Sequence, residues 1–302
     1  MNSTLPITEK ENPKTAQIDT ASTLEAVRML NNEDKGVPLA VEAVLPQVAE
    51  VIDRVVDLLE NAGRLFYVGS GTSGRLGVLD ASEIPPTFGV SYDLVQGIIA
   101  GGYDALYKAT ETSEDDHQAA ITDLKSRGLL PEDAVIGIAA SGRTPYTIGA
   151  VEYARSIGCF TAAVVCSPNS NLEAAAELAI VPLVGPEAIT GSTRMKAGTA
   201  QKLILNMIST VAMIRLGYVS GNRMTNMKAS NKKLRDRSLR ILTAETGADE
   251  AASSELLAAA DNDLRVALVM RHASVGRGEA ERALNDTSFV VEEAVENLRP
   301  GK

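Results

Sequence analysis

Apolar positions along this chain follow two alternating rhythms. From about 38 to 62 they recur at helical spacing, through Val41, Val44, Leu45, Val48, Val51, Ile52, Val55, Leu58 and Leu59, until Gly63 supplies a C-cap signal. A shorter helical pattern lies at 22–32, and the polar, weakly periodic residues 1–20 read as an arm. Continuous apolar runs then predict strands at 64–68, 94–99, 134–139, 160–166 and 178–181. Helical patterns fall between and after them at 74–81, 103–110, 115–127, 145–157 and 195–217. Runs that are apolar at every position suit a parallel sheet covered on both faces, and the alternation gives βαβ units. Beyond about residue 228 the chain is charged, Ala-rich and helical, with no further strand signal. The expected fold is therefore α/β, a doubly wound parallel sheet of about five strands with N-terminal helices and a small C-terminal helical bundle. The corresponding division is an arm with helices at 1–54, a sheet domain at 55–218 and a helical region at 219–302.

Composition narrows the core and the partners. Aromatic residues make up 4% of the 302, with no Trp, so the core must be built from Ala, Val, Ile and Leu. A formal charge of −10, from 29 basic and 39 acidic residues, argues against a nucleic-acid partner. The basic run from Lys232 to Arg240 has helical spacing and reads as a solvated face. Cys159 and Cys166 sit in or beside an apolar strand without C-x-x-C spacing, and read as buried structural thiols. No secretory pattern or membrane-length apolar stretch is present, so a cytoplasmic protein is expected.

Two strand ends carry the candidate chemistry. Gly69-Ser-Gly-Thr-Ser-Gly74 and Ser141-Gly-Arg-Thr-Pro145 each follow an apolar run and open a helix. Small hydroxyl and glycine residues there aim backbone N–H groups and a helix N-terminus at one spot, which suits phosphate. The first loop also matches G-x-G-x-x-G. Dinucleotide binding further requires an acidic residue at the end of the second strand, yet Leu94-Val-Gln-Gly-Ile-Ile99 ends in Ala-Gly-Gly. For the second loop the structural alternative is a capped helix, with Thr144 as N-cap and Pro145 first in the helix. A third stretch, Thr190-Gly-Ser-Thr-Arg-Met-Lys196, precedes the long helix; Ser192 and Thr193 there suit capping and Lys196 exposure as well as they suit a ligand.

Only two histidines are present, His117 and His272, so acid–base chemistry falls to carboxylates and no metal site is expected. Glu83 is placed at the end of the helix launched from the first loop, before Pro85 and Pro86 halt it. A carboxylate at a helix C-terminus is mildly unfavourable, so another requirement is implied there. Glu114 belongs to Glu111-Thr-Ser-Glu-Asp-Asp116, where Ser113 as an N-cap with Glu114 in the first turn is the structural alternative.

The run from Gly69 to Glu83 with Pro86-Thr-Phe-Gly-Val90 closely resembles the N-acetylmuramic acid 6-phosphate etherase family. So do Ile98-Ile-Ala-Gly-Gly102, Ala139-Ala-Ser-Gly-Arg-Thr-Pro-Tyr146 and the stretch from Thr190 to Lys202. The likeness runs nearly end to end. It implies a sugar isomerase (SIS) domain, an enzyme that cleaves the D-lactyl ether to N-acetylglucosamine 6-phosphate and D-lactate, no metal or other cofactor, and a homodimer. Carried over by motif, Glu83 and Glu114 match the two catalytic positions; burial or nearby negative charge is expected to keep Glu83 protonated as the acid, with Glu114 as base. Ser70, Thr72, Ser73, Ser141, Arg143 and Thr144 are the candidates for the 6-phosphate and sugar hydroxyls. One departure is Met224-Thr-Asn-Met227, where the family pattern suggests Met-Val-Asp-Val. Two rivals use the same cradle. A phosphosugar aldose–ketose isomerase needs no acid at C3, and a non-catalytic phosphosugar sensor need not keep the carboxylate pair.

Overall fold

A computed structural model of the chain describes residues 5–108, 111–226, 232–287 and 289–299. The chain divides into two compact units, one of residues 1–82 and 92–210 and the other of 83–91 and 211–302. Helices α1 (Thr23–Asp34), α2 (Val37–Glu42) and α3 (Leu45–Glu60) open the first unit. There follow β1 (Leu65–Gly69), α4 (Gly71–Phe88), β2 (Val95–Ile99), α5 (His117–Ser126) and β3 (Ala134–Ile138). The series continues with α6 (Pro145–Ser156), β4 (Phe160–Val164), α7 (Asn171–Ala175), β5 (Leu178–Ile180) and α8 (Lys196–Arg215). The unit boundary falls inside α4 and inside α8.

All five strands are parallel, in the order β2-β1-β3-β4-β5. Every residue of β1, β3 and β4 is buried, as apolar runs without alternation require. Phe66, Val68 and Val135 pack against Leu124, Tyr146 and Ala150 of the crossover helices. The chain leaves β1 toward β2 and then returns to β3 on the other side. This reversal opens a crevice beyond the carboxyl ends of β1 and β3, where doubly wound sheets hold ligands. Gly69 pairs in register with Ile138, so both glycine loops leave the sheet at the same level.

Four local expectations change. The helical pattern at 38–62 forms two helices, because Pro46 in the first turn of α3 cannot continue the preceding one. The pattern at 103–110 yields a 3-10 turn at Tyr103–Leu106, and residues 109 and 110 lie outside the described residues. Helix α4 runs through Pro85 and Pro86 to Phe88. The prolines forfeit only their own N–H bonds near its end, and Gly89 N closes on Pro85 O at 2.8 Å. Glu83 thus lies inside a helix, and the argument from an unfavourable C-terminal carboxylate lapses. The arm is partly docked, with Thr8, Asn12 and Thr15 buried.

The second unit contains a two-residue antiparallel pair that the sequence did not announce, β6 (Val219–Ser220) with β7 (Arg223–Met224). Five helices follow: α9 (Lys232–Thr246), α10 (Glu250–Ala259), α11 (Leu264–Ala273), α12 (Arg277–Asp286) and α13 (Val291–Leu298). Leu242, Leu257, Leu264, Leu268, Leu284 and Val295 form their core. In the basic run, Arg235 and Arg240 are exposed as expected, whereas Ser238 is buried. Asn226 is buried, and its Nδ2 donates to Phe88 O at 3.0 Å. An aspartate there would set a carboxylate against that carbonyl, so this chain's local structure suits the amide. Met227 lies outside the described residues.

Candidate functional site

The first glycine loop is tight because β1 and the start of α4 nearly touch. A Cβ added to Gly74 would lie 2.6 Å from Gly69 O and 2.7 Å from Ile99 Cγ1. Gly71 begins the helix at φ +52°, a left-handed conformation that suits glycine. Gly74 N bonds to Ser70 O at 3.0 Å, and the preceding first-turn N–H groups have no helical acceptor. In the second loop Thr144 is the N-cap residue of α6, but its side chain makes no cap hydrogen bond. The capping alternative therefore does not consume the Thr144 hydroxyl.

Both loops open on one cavity of about 350 Å³ within the first unit. Ser70, Thr72 and Ser73 line it from the first loop, and Ser141 and Thr144 from the second. Ser73 Oγ is oriented by Gln201 Oε1 at 2.9 Å, and Ser141 Oγ accepts from Arg143 N at 3.3 Å. The Arg143 side chain is exposed and does not line the cavity. Two helix N-termini and a set of hydroxyls thus surround one polar space, an arrangement whose chemistry suits an anion.

Glu114 lines the same cavity. A Cβ on Gly71 would sit 3.3 Å from its Oε1, which puts the carboxylate at the first turn of α4. The N-cap of α5 is Asp116, which accepts from Ala119 N at 2.9 Å, so Ser113 and Glu114 are not the capping pair. Glu114 instead ends a 3-10 turn at Glu111–Glu114. Glu83 belongs to the second unit, is exposed and is not among the cavity-lining residues. The apolar surrounding expected for it is therefore not supplied around its own side chain.

Two lining residues, Arg75 and Glu9, were not singled out from the sequence. Thr193 and Arg194, from the Thr190–Lys196 stretch whose ligand role was left open, also line the cavity. Arg75 could have been found as the cation four residues after Gly71; Glu9 had no signal, because only the docking of the arm brings it there. The loop before α8 is anchored by a buried ionic cluster. Lys196 is 3% exposed rather than solvated, and its Nζ reaches Glu33 Oε2 at 2.7 Å. Asn12 Nδ2 donates to the same oxygen at 2.8 Å. Burial alone would raise the Glu33 carboxyl, but hydrogen bonds from Lys196, Asn12 and Lys14 outweigh it and hold it at about 2. The start of α8 is met by Glu187, whose carboxylate accepts from Lys196 N and Ala197 N at 2.9 Å each. Burial raises the Glu187 pKa, and those two N–H groups offset only part of the effect.

The remaining reactive groups lie elsewhere. Burial pushes both Cys159 and Cys166 thiols up to about 12, in keeping with structural roles. His117 Nε2 contacts Glu152 Oε2 at 2.9 Å on the surface. Among the described residues, no group of three or more His, Cys, Asp or Glu side chains is arranged to share a metal ion.

Residues 47–155 match the family model of the glucokinase regulatory protein N-terminal SIS domain. An N-acetylmuramic acid 6-phosphate etherase of Pectobacterium atrosepticum is 52% identical over 289 residues, covering 96% of this chain and 95% of that protein. The etherase of Symbiobacterium thermophilum is 54% identical over 269 residues, 89% of each chain. That of Clostridium botulinum is 49% identical over 97% of each. Among solved structures, a Bacteroides fragilis protein provisionally described as a phosphosugar isomerase involved in capsule formation superposes with a TM-score of 0.50. It is 16% identical and covers 67% of this chain and 95% of its own, a likeness of fold.

Proposed function

Because this chain belongs to the N-acetylmuramic acid 6-phosphate etherase family, an enzyme family, we propose that it cleaves the D-lactyl ether of that sugar phosphate. The products are N-acetylglucosamine 6-phosphate and D-lactate. The observation that carries this reading is the cavity in which two helix N-termini and six hydroxyl side chains meet beside Glu114.

Direct displacement of an alkoxide from C3 is slow, and the proposed route avoids it. Ring opening turns C1 into an aldehyde, which makes the C2 proton removable. Glu114 takes that proton while an acid, Glu83, protonates the C3 ether oxygen. The C3–O bond breaks, D-lactate departs, and a C2–C3 double bond conjugated to the aldehyde remains. Water then adds its oxygen to C3 and a proton returns to C2. The part given to Glu114 is supported by its lining the same cavity as the hydroxyls. Glu83 takes its role from the resemblance alone. Ser70, Thr72, Ser73, Ser141 and Thr144 hold the phosphate and sugar hydroxyls, whereas Arg143, which does not line the cavity, takes its place in the proposal from the resemblance alone.

A homodimer is part of the same proposal. Helix α1 leaves Leu24 and Val27 58% and 55% exposed, an apolar face that a second copy would cover. No helix among the described residues is long and apolar enough to cross a membrane, and a cytoplasmic location is proposed on the substrate class.

The mechanism is tested by turnover in isotopic water. The reading requires ¹⁸O from water at C3 and deuterium from D₂O at C2 of the sugar product. Product with ¹⁶O at C3 would refute elimination and addition. An aldose–ketose isomerase would instead yield a ketose and no lactate.

A further inference from the structure

The proposed substrate brings two anions into the cavity, a phosphate and the lactyl carboxylate, and the lining offers two guanidinium groups, Arg75 and Arg194. They are mounted differently. Arg75 lies in the opening turns of α4 with Thr72 and Ser73, and its Nε donates to Leu106 O at 3.0 Å. It therefore belongs with the hydroxyls and helix end that suit phosphate. Arg194 stands on the loop before α8, exposed, with no hydrogen bond or ion pair among the described residues.

The base of that loop is fixed unusually firmly. Thr15 Oγ1 donates to Ala188 O at 2.8 Å, and Gly191 N donates to Thr8 O at 3.3 Å. Glu187, fully buried, accepts the first N–H groups of α8, and the side chain of Lys196 is buried against Glu33. Burying charged groups is costly unless they are paired and hydrogen-bonded, as these are. A firmly held loop thus presents to the ligand cavity a guanidinium with no internal partner among the described residues. A guanidinium fork matches a carboxylate in planar, two-point fashion.

We propose that Arg194 receives the lactyl carboxylate, and so distinguishes the ether substrate from the same sugar phosphate lacking the lactyl group. The proposal rests on the etherase reading. Because the carboxylate is present before and after C3–O cleavage, Arg194 acts chiefly on affinity rather than on the chemical step.

The test is calorimetric titration in a Glu114→Gln background, which slows turnover enough for binding to be read, with N-acetylmuramic acid 6-phosphate and N-acetylglucosamine 6-phosphate as separate ligands. Arg194→Gln is expected to weaken the first about 10- to 100-fold, as loss of a charge-assisted pair implies. Affinity for the second should stay within about twofold. Arg194→Lys should recover part of the loss. Parallel weakening of both ligands would place Arg194 on the phosphate or in the fold, and unchanged affinity for both would remove it from recognition; either overturns the proposal. If the wild-type protein binds both sugars but releases no D-lactate, the etherase reading fails while the contrast between ligands remains readable.

Discussion

The pair of Glu33 and Lys196 offers a sharp energetic test of how the cavity loop is held. Their side chains are 8% and 4% exposed, and Nζ and Oε2 are 2.7 Å apart. The Glu33 carboxyl falls from 4.5 to about 2. At 1.36 kcal/mol per pKa unit that drop corresponds to about 3 kcal/mol, and solvent screening at the edge of the cluster reduces it to about 2. Lys14, whose side chain is 78% exposed, contributes little of this. Glu33→Gln leaves a buried ammonium without its counter-charge, so the expected loss at neutral pH is about 2–3 kcal/mol. The pH dependence has a definite sign. The folded-state pKa lies below the unfolded one, so the stabilisation is fully present above 4.5 and fades as pH falls toward about 2. Urea unfolding followed by circular dichroism, for wild type, Glu33→Gln, Lys196→Met and the double variant, gives the coupling directly. A coupling below about 0.5 kcal/mol, or a wild-type advantage over Glu33→Gln that stays constant between about pH 7 and pH 3, would refute the reasoning.

Other expectations follow from single contacts. Gly74→Ala must push its methyl into Gly69 O and Ile99 Cγ1 at under 3 Å, and should lower stability by about 1–3 kcal/mol or prevent folding, read as the urea midpoint or soluble yield. Thr144→Ala should cost less than the about 1 kcal/mol usual for losing a cap, since no cap bond exists, while phosphosugar affinity falls in titration. Asn226→Asp should destabilise by about 2 kcal/mol in denaturant unfolding, because its amide donor meets the Phe88 carbonyl; a stabilised variant would show that the amide is not needed.

The sheet was legible because its three central strands are fully buried and its edge strands partly so, which makes them read as apolar runs; all five lie where those runs stand, within a residue or two. The two loops were legible for the same local reason, since each ends a buried strand, and Ser70, Thr72, Ser73, Ser141 and Thr144 line one cavity. Distance along the chain hid the rest. Glu9 reaches the cavity only because Thr8, Asn12 and Thr15 dock the arm, and their partners lie more than 170 residues away. Lys196 was left open between exposure and a ligand role, and its burial was hidden because its counter-charge, Glu33, sits on a remote helix. Glu187 replaced the nearer Ser192 and Thr193 at the start of α8, a choice made by tertiary packing and invisible to cap rules based on adjacent residues. Pro85 and Pro86 misled in the opposite direction, since a helix near its end loses little by tolerating them.

The most direct test is D-lactate release from N-acetylmuramic acid 6-phosphate by the purified protein, beside the Glu114→Gln variant. The account predicts release by the wild type and a loss on the order of 10² to 10⁴ in Glu114→Gln, with the sugar phosphate still bound. Absence of lactate from the wild type, or undiminished release from the variant, would contradict it.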